Sequence, residues 1–183
     1  MCRSWATLSS MPATLTLVRG SVTDQAVDAI VNAANTRMRG GGGIDGRIHQ
    51  LAGPRMLEEL RRVAGQGAEV GEAVVTRGYD LPQPIVIHVA GPIWRGGHEG
   101  EAEALAGAYR NALLAAESER CVSVAFCSIS TGAFGYPLAL AAPLAVATLT
   151  DTGANLVHVE RIVLAMFGRE EYDAFHAGLC FGA

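Results

Sequence analysis

The chain has 183 residues, half of them apolar and 17% charged, with a net charge of −4. That length favours one domain, and the apolar content excludes a disordered chain. The acidic balance excludes the broad basic surface with which proteins grip nucleic acid, but a small phosphate-bearing ligand stays open because backbone N–H groups bind anions without lysines.

The N-terminal stretch MCRSWATLSSMPA lacks the apolar segment of a signal peptide. Residues 1–13 read as a loose tail, with Met11 a possible second start, and residues 14–183 as a single domain. No run approaches the ~18 apolar residues of a membrane span, so no membrane partner is expected. Cys2, Cys121, Cys127 and Cys180 form no CxxC pair and no Cys/His cluster with zinc spacing. A reducing, cytoplasmic setting fits them better than a disulfide framework, and no metal is expected.

In chain order, Thr14–Val18 alternates as a strand does, and Ala29–Ala33 reads as a second, more buried strand. The glycine-rich run Gly40–Gly43 follows, then helical windows at Ile44–Ala52 and Pro54–Ala64, the latter with proline well placed in a first turn. Glu72–Arg77 and Ile85–Ala90 are short and β-branched, as strands are. Glu101–Ser118 is the longest helical window, with Leu105, Tyr109, Ala112, Leu113 and Ala116 on one apolar stripe. Val122–Phe126 and Arg161–Ala165 complete the strands, with Cys121 and Cys127 flanking the former. Pro137–Thr150 reads as a heavily buried helix, and Arg169–Ala177 as the last one. Buried strands alternating with helices predict a three-layer α/β domain, with ligands bound beyond the carboxyl ends of the strands.

Two segments carry the chemistry. In VDAIVNAAN followed by GGGGIDG, a strand delivers Asn32 and Asn35 to a bare-backbone loop that ends at Asp45. Gly41–Gly46 formally satisfies G-x-G-x-x-G, but Thr36–Arg39 separate it from the strand and no acidic strand end follows some 20 residues on, so a dinucleotide fold is disfavoured. The second segment, Ser128–Pro137, places hydroxyls, small residues and glycine between a strand and a helix, which suits a diphosphate cradle. Phe134 and Tyr136 either cover a sugar face or cap the core. His88 reads as a hydrogen-bonded core residue more readily than as a catalyst. His49, four residues after Asp45, either orients that carboxylate or faces solvent. Neither a Ser-His-Asp nor a Cys-His set stands out by spacing.

Five stretches in this order resemble the macrodomain family, MacroD-type branch: Val27–Asn35, Gly40–Gly46, Ile48–Pro54, Ile87–Gly97 and Ile129–Pro137. The resemblance runs from about residue 14 to 178. It implies a three-layer α/β/α sandwich with a mixed sheet that binds ADP-ribose. It further implies a metal-independent hydrolase, without cofactor, cleaving the ester between the distal ribose and Asp or Glu side chains of mono-ADP-ribosylated proteins, and deacetylating O-acetyl-ADP-ribose. The alternative is a reader module that binds ADP-ribose without turnover. By the same resemblance, Asn35 would hold ribose hydroxyls, and Asp45 would orient or activate water or position the ribose. Gly42, Gly43 and Ile44 would border the distal ribose. Ser130, Thr131, Gly132, Ala133, Phe134, Gly135 and Tyr136 would wrap the diphosphate, with Phe134 against the distal ribose. A monomer is expected.

One departure stands out. The family commonly reads G-D-[IV]-T ahead of the VDAIVNAAN strand, and that Asp accepts a hydrogen bond from the adenine amino group. Here Ser21 occupies its place in Gly20-Ser21-Val22-Thr23, an uncharged and weaker acceptor. Val22 would still line the adenine site, Asp24 lies three residues on, and Phe167 is either an aromatic neighbour of adenine or a core residue.

Overall fold

Six short runs rich in β-branched residues pair edge to edge in the computed structural model, which describes residues 12–181. They are β1 (Thr14–Arg19), β2 (Ala29–Ala34), β3 (Ala73–Arg77), β4 (Ile85–Ala90), β5 (Ser123–Phe126) and β6 (Arg161–Met166). Their order in the sheet is β1-β6-β5-β2-β4-β3. Every pair is parallel except β3 with β4, which is antiparallel at one edge. The helices are α1 (Gly43–Ala52), α2 (Pro54–Ala64), α3 (Glu101–Ser118), α4 (Leu138–Gly153) and α5 (Arg169–Phe181), with a 3-10 turn at Val22–Asp24. The architecture is the expected mixed-sheet α/β/α sandwich.

Strand alternation decides which layer each side chain joins. Ala29 and Val31 on β2, and Ile85, Ile87 and Val89 on β4, pack into the core beneath α3, α4 and α5. Ile30 and Val86 point the other way, against Ile48, Ala52 and Met56 of α1 and α2. The apolar stripe read on α3 is buried along its whole length. Each large apolar side chain sealed this way stabilises the fold by roughly 1.5–3 kcal/mol before chain entropy is counted.

The elements differ from the sequence reading mainly at their ends. The strand expected from Val122 begins at Ser123, because Val122 is half exposed and donates its N–H to the Asp28 carboxylate rather than to a ladder. Pro137 caps α4 rather than entering it, and that helix continues to Gly153. The expected tail falls largely outside the described residues. Ala13, at its end, is tied by its N–H to the Gly153 carbonyl at 3.2 Å. No helix among the described residues is long and apolar enough to cross a membrane. Cys121, Cys127 and Cys180 are free thiols.

Candidate functional site

β2 carries its apolar residues to the middle of the sheet and then presents polar ones at its carboxyl end. Asn32 is fully buried and shares the α1-facing side with Ile30. Its Nδ2 donates to Asp45 Oδ1 at 2.7 Å and lies 3.0 Å from His88 Nδ1. His88 sits directly across the strand pair from Asn32, and its Nε2 is 2.9 Å from the Thr76 hydroxyl on β3. The histidine is therefore a hydrogen-bonded core residue. Burial first, then the nearby His49, push its pKa down to about 3, with Asp45 acting in the opposite direction.

The four glycines divide the work of bringing Asp45 to this point. Gly40 and Gly43 have φ of +80° and +60°, conformations that other residues adopt only at a cost. A Cβ on Gly41 would sit 2.9 Å from Asp45 Oδ2, so that position allows close approach. Gly42 has open space around it, leaving bare backbone. Asp45 lies in the first turn of α1 and is 4% exposed. Its Oδ1 is anchored by Asn32, while Oδ2 accepts no hydrogen bond among the described residues. His49 Nε2 lies 3.2 Å from Oδ1, but the ring is not aligned and neither of its nitrogens makes a hydrogen bond. The contact is an ion-pair distance without a hydrogen bond. Asn35 holds the loop itself, donating to the Gly40 carbonyl and accepting from the Arg37 N–H, both at 3.0 Å.

The second segment forms the opposite wall. The Ser128 and Thr131 hydroxyls bond to each other at 2.6 Å, Gly135 N–H closes a turn on Gly132, and Tyr136 N–H reaches Ser130 O. The N–H groups of residues 130–134 donate to no acceptor among the described residues, and the first N–H groups of α1 are free as well. Ser130 has φ +66° and a buried hydroxyl without a partner. Together these make a concave array of donors of the kind that binds anions.

Between the two walls lies a cleft of about 790 Å³ at the carboxyl ends of the strands, a size usual for small-ligand sites. Of the residues singled out in the sequence, Ser21, Val22, Asn35, Gly42, Gly43, Ile44, Asp45, Ser130, Gly132, Ala133, Phe134 and Phe167 line it. Thr131, Gly135 and Tyr136 do not. Tyr136 turns inward, 3% exposed, and packs on Trp94 with ring centroids 4.6 Å apart. Phe167 is 78% exposed at the cleft, so core packing does not account for it. Ser21 caps the 3-10 turn, its hydroxyl accepting from Thr23 N–H at 3.3 Å. Asp24 and Glu171 also line this end, and Arg47 lines the Ile44 end. The sequence signal for Arg47 is its i+3 position from Ile44, which puts both on one helix face. Trp94 N–H bonds to Phe134 O at 2.9 Å. The loop after Trp94 is gathered by Glu101, whose carboxylate accepts the N–H groups of Arg95, Gly97 and Glu99.

A family model described as Macro domain matches residues 31–145. A macro domain-containing protein of Chlorobaculum tepidum is 45% identical over 165 residues, covering 90% of this chain and 95% of the relative. The chain belongs to the macro domain family. Another relative, named O-acetyl-ADP-ribose deacetylase, comes from Salmonella newport; it is 44% identical over 162 residues, 87% of this chain and 90% of its own length. Among solved structures, a glycine-to-valine variant of the Oceanobacillus iheyensis macrodomain with ADPR superposes with a TM-score of 0.87 at 35% identity, covering 93% of this chain and 94% of that one. Other solved forms of the same macrodomain replace an asparagine or an aspartate by alanine. In the macrodomain described here, the cleft therefore lies where α/β sheets of this kind bind ligands.

Proposed function

We propose that this macrodomain binds ADP-ribose in the cleft and hydrolyses esters of its distal ribose. The substrates are O-acetyl-ADP-ribose and proteins mono-ADP-ribosylated on Asp or Glu. The observation that carries the reading is the state of Asp45: one oxygen is held by Asn32, the other is free beside the glycine loop. A diphosphate on the N–H groups of Ser130, Gly132, Ala133 and Phe134, which line the cleft, and of the α1 start would set the distal ribose between Phe134 and the Asn35–Asp45 loop. The substituted asparagine, glycine and aspartate of the O. iheyensis variants are spaced seven and three residues apart, as Asn35, Gly42 and Asp45 are. That agreement supports placing the reactive end here.

In this mechanism Asp45 Oδ2 takes a proton from a water as the water oxygen bonds to the ester carbon. The carbon–oxygen bond to the ribose then breaks, the proton returns to the leaving ribose oxygen, and a carboxylic acid and ADP-ribose separate. The donors bind the diphosphate before and after alike, so they serve affinity and placement. Asn35 favours the rival reading of a non-catalytic reader to one extent: its amide already serves its own loop. It keeps one hydrogen and one lone pair for a ribose hydroxyl.

The test is release of acetate from O-acetyl-ADP-ribose, and of ADP-ribose from a protein modified on Glu or Asp, by wild-type protein. Turnover of either ester is expected. Binding of ADP-ribose by calorimetry with both esters left intact over hours would leave the reader.

A further inference from the structure

We infer that His88, walled inside the sheet and out of reach of the cleft, is a positioning residue that aims the Asp45 carboxylate through Asn32. The inference rests on the ester-hydrolase reading for its consequence, but not for its geometry. Three facts establish the chain. Asn32 Nδ2 lies within hydrogen-bond distance of both Asp45 Oδ1 and His88 Nδ1, at 2.7 Å and 3.0 Å. Asn32 and His88 are fully buried, and Thr76 is 2% exposed. The far ring nitrogen meets the Thr76 hydroxyl at 2.9 Å.

Donor and acceptor chemistry then allows one arrangement. If the Asn32 amide were turned over, its oxygen would face a carboxylate oxygen at 2.7 Å with no proton between them. The carboxylate therefore fixes the amide with its NH₂ toward Asp45. That NH₂ has two hydrogens and no lone pair to offer. One hydrogen goes to Asp45, so the other goes to His88, and His88 Nδ1 must be the bare nitrogen. A neutral ring then carries its proton on Nε2 and donates it to Thr76. Burial of the ring favours that neutral form, in the direction already given.

The arrangement is committed at a cost. The Asn32 oxygen is buried and accepts nothing among the described residues. An amide that gives up a partner for its oxygen in order to place both hydrogens is being held by what those hydrogens touch. Without an acceptor at His88, the second hydrogen is orphaned as well. The amide would then be held through Asp45 alone, and the hydrogen it presents to Asp45 Oδ1 would be less firmly aimed. His49 cannot replace it, because its ring is not aligned on Oδ1. His88 touches no substrate in this scheme; it acts on the reaction only by holding the amide that holds the carboxylate.

Two measurements test this. Nitrogen NMR of the wild-type protein labelled in its histidine rings should find His88 neutral, with hydrogen on Nε2 and none on Nδ1. The other tautomer, or a charged ring at neutral pH, overturns the inference whatever the activity. The second compares His88→Leu, which has no acceptor, with His88→Asn, whose Oδ1 can stand where Nδ1 stood. ADP-ribose affinity should hold within about threefold in both, and kcat on O-acetyl-ADP-ribose should fall by about tenfold in His88→Leu, the scale of one neutral hydrogen bond. Most of that loss should return in His88→Asn. Equal kcat losses in the two variants, or no loss in a folded His88→Leu, overturn the inference. If His88→Leu does not fold, the ring tautomer and the kcat of His88→Asn decide. If the wild-type protein turns over neither ester, the hydrolase reading falls, and the tautomer still decides whether the chain to Asp45 exists.

Discussion

Acid should unfold this protein partly through one buried imidazole. His88 has a pKa of about 3 in the fold, against 6.5 for an ordinary histidine. Between those values the unfolded chain binds a proton that the folded chain refuses, so stability rises with pH there. Its contribution is complete above pH 6.5 and is lost as pH falls toward 3. From pH 7 to pH 5 the loss is about 2 kcal/mol, following the linkage relation for one site. The assay is urea unfolding at pH 7, 6 and 5, followed by circular dichroism, for wild type and His88→Asn. Every other titrating group is common to both proteins, so the difference between the two curves isolates His88. The variant should be the less stable at pH 7, and the gap should close by about 2 kcal/mol at pH 5. Parallel curves would refute the reasoning, because they would mean that the folded ring accepts its proton as readily as the unfolded one.

The remaining predictions concern the cleft. Asp45→Ala should cut kcat by about a hundredfold or more, the usual range for a general base, while calorimetry finds ADP-ribose affinity little changed; equal losses would make Asp45 structural. Ser21→Asp should tighten ADP-ribose by about 1 kcal/mol, the worth of one hydrogen bond after solvent competition. It should leave the 3-10 turn capped, since Asp caps as well as Ser. Phe167→Ala should weaken ADP-ribose in calorimetry without lowering Tm, because the ring is 78% exposed. Glu101→Gln should lower Tm and loosen the loop that follows Trp94. Glu101's own N–H, and those of Gly97, Arg95 and Glu99, outweigh the opposing effect of burial and hold its pKa down to about 2. The carboxylate's contribution is thus present above pH 4.5 and fades as pH falls toward 2, so the variant and wild type should converge in Tm in strong acid.

Much of the fold was legible because period and punctuation agreed. Ile85–Ala90 and Glu101–Ser118 have the bounds that their apolar patterns predict. The cleft was legible in part because ligands in such sheets gather at strand ends, where the two glycine-bearing segments fall. What was not legible depends on contacts between distant strands. Asn32 reads as one of two asparagines; only the parallel register that sets it beside His88 reveals the relay. Thr76 enters through an antiparallel edge strand that no local signal connects to β2. As a string of residues, Ser130 to Tyr136 shows no break between cradle and core. The loop turns at Ser130 and Gly135, both at positive φ, and that reversal directs Tyr136 into the core and leaves Thr131 bonded to Ser128.

The relay also bears on how an acidic protein manages an anionic ligand. The cleft wall includes Asp24, Asp45 and Glu171, with Arg47 the one basic side chain among its described residues. With no lysine among the described residues of that wall, a diphosphate bound as proposed would rely on backbone N–H groups, whose positive ends are fixed by the fold and need no counterion. Asp45 stands in the first turn of the helix whose first N–H groups would also meet the phosphates in the proposed reading. Like charges that share one helix start must be kept apart by geometry. A cationic anchor for Asp45 would draw the phosphates toward the carboxylate as readily as it held the carboxylate itself. Asn32, backed by a neutral His88, supplies direction without charge. In the proposed reading the neutral buried pair thus separates two tasks that one arginine would have merged: the backbone donors would bind the phosphates, and the amide would aim the carboxylate at the sugar.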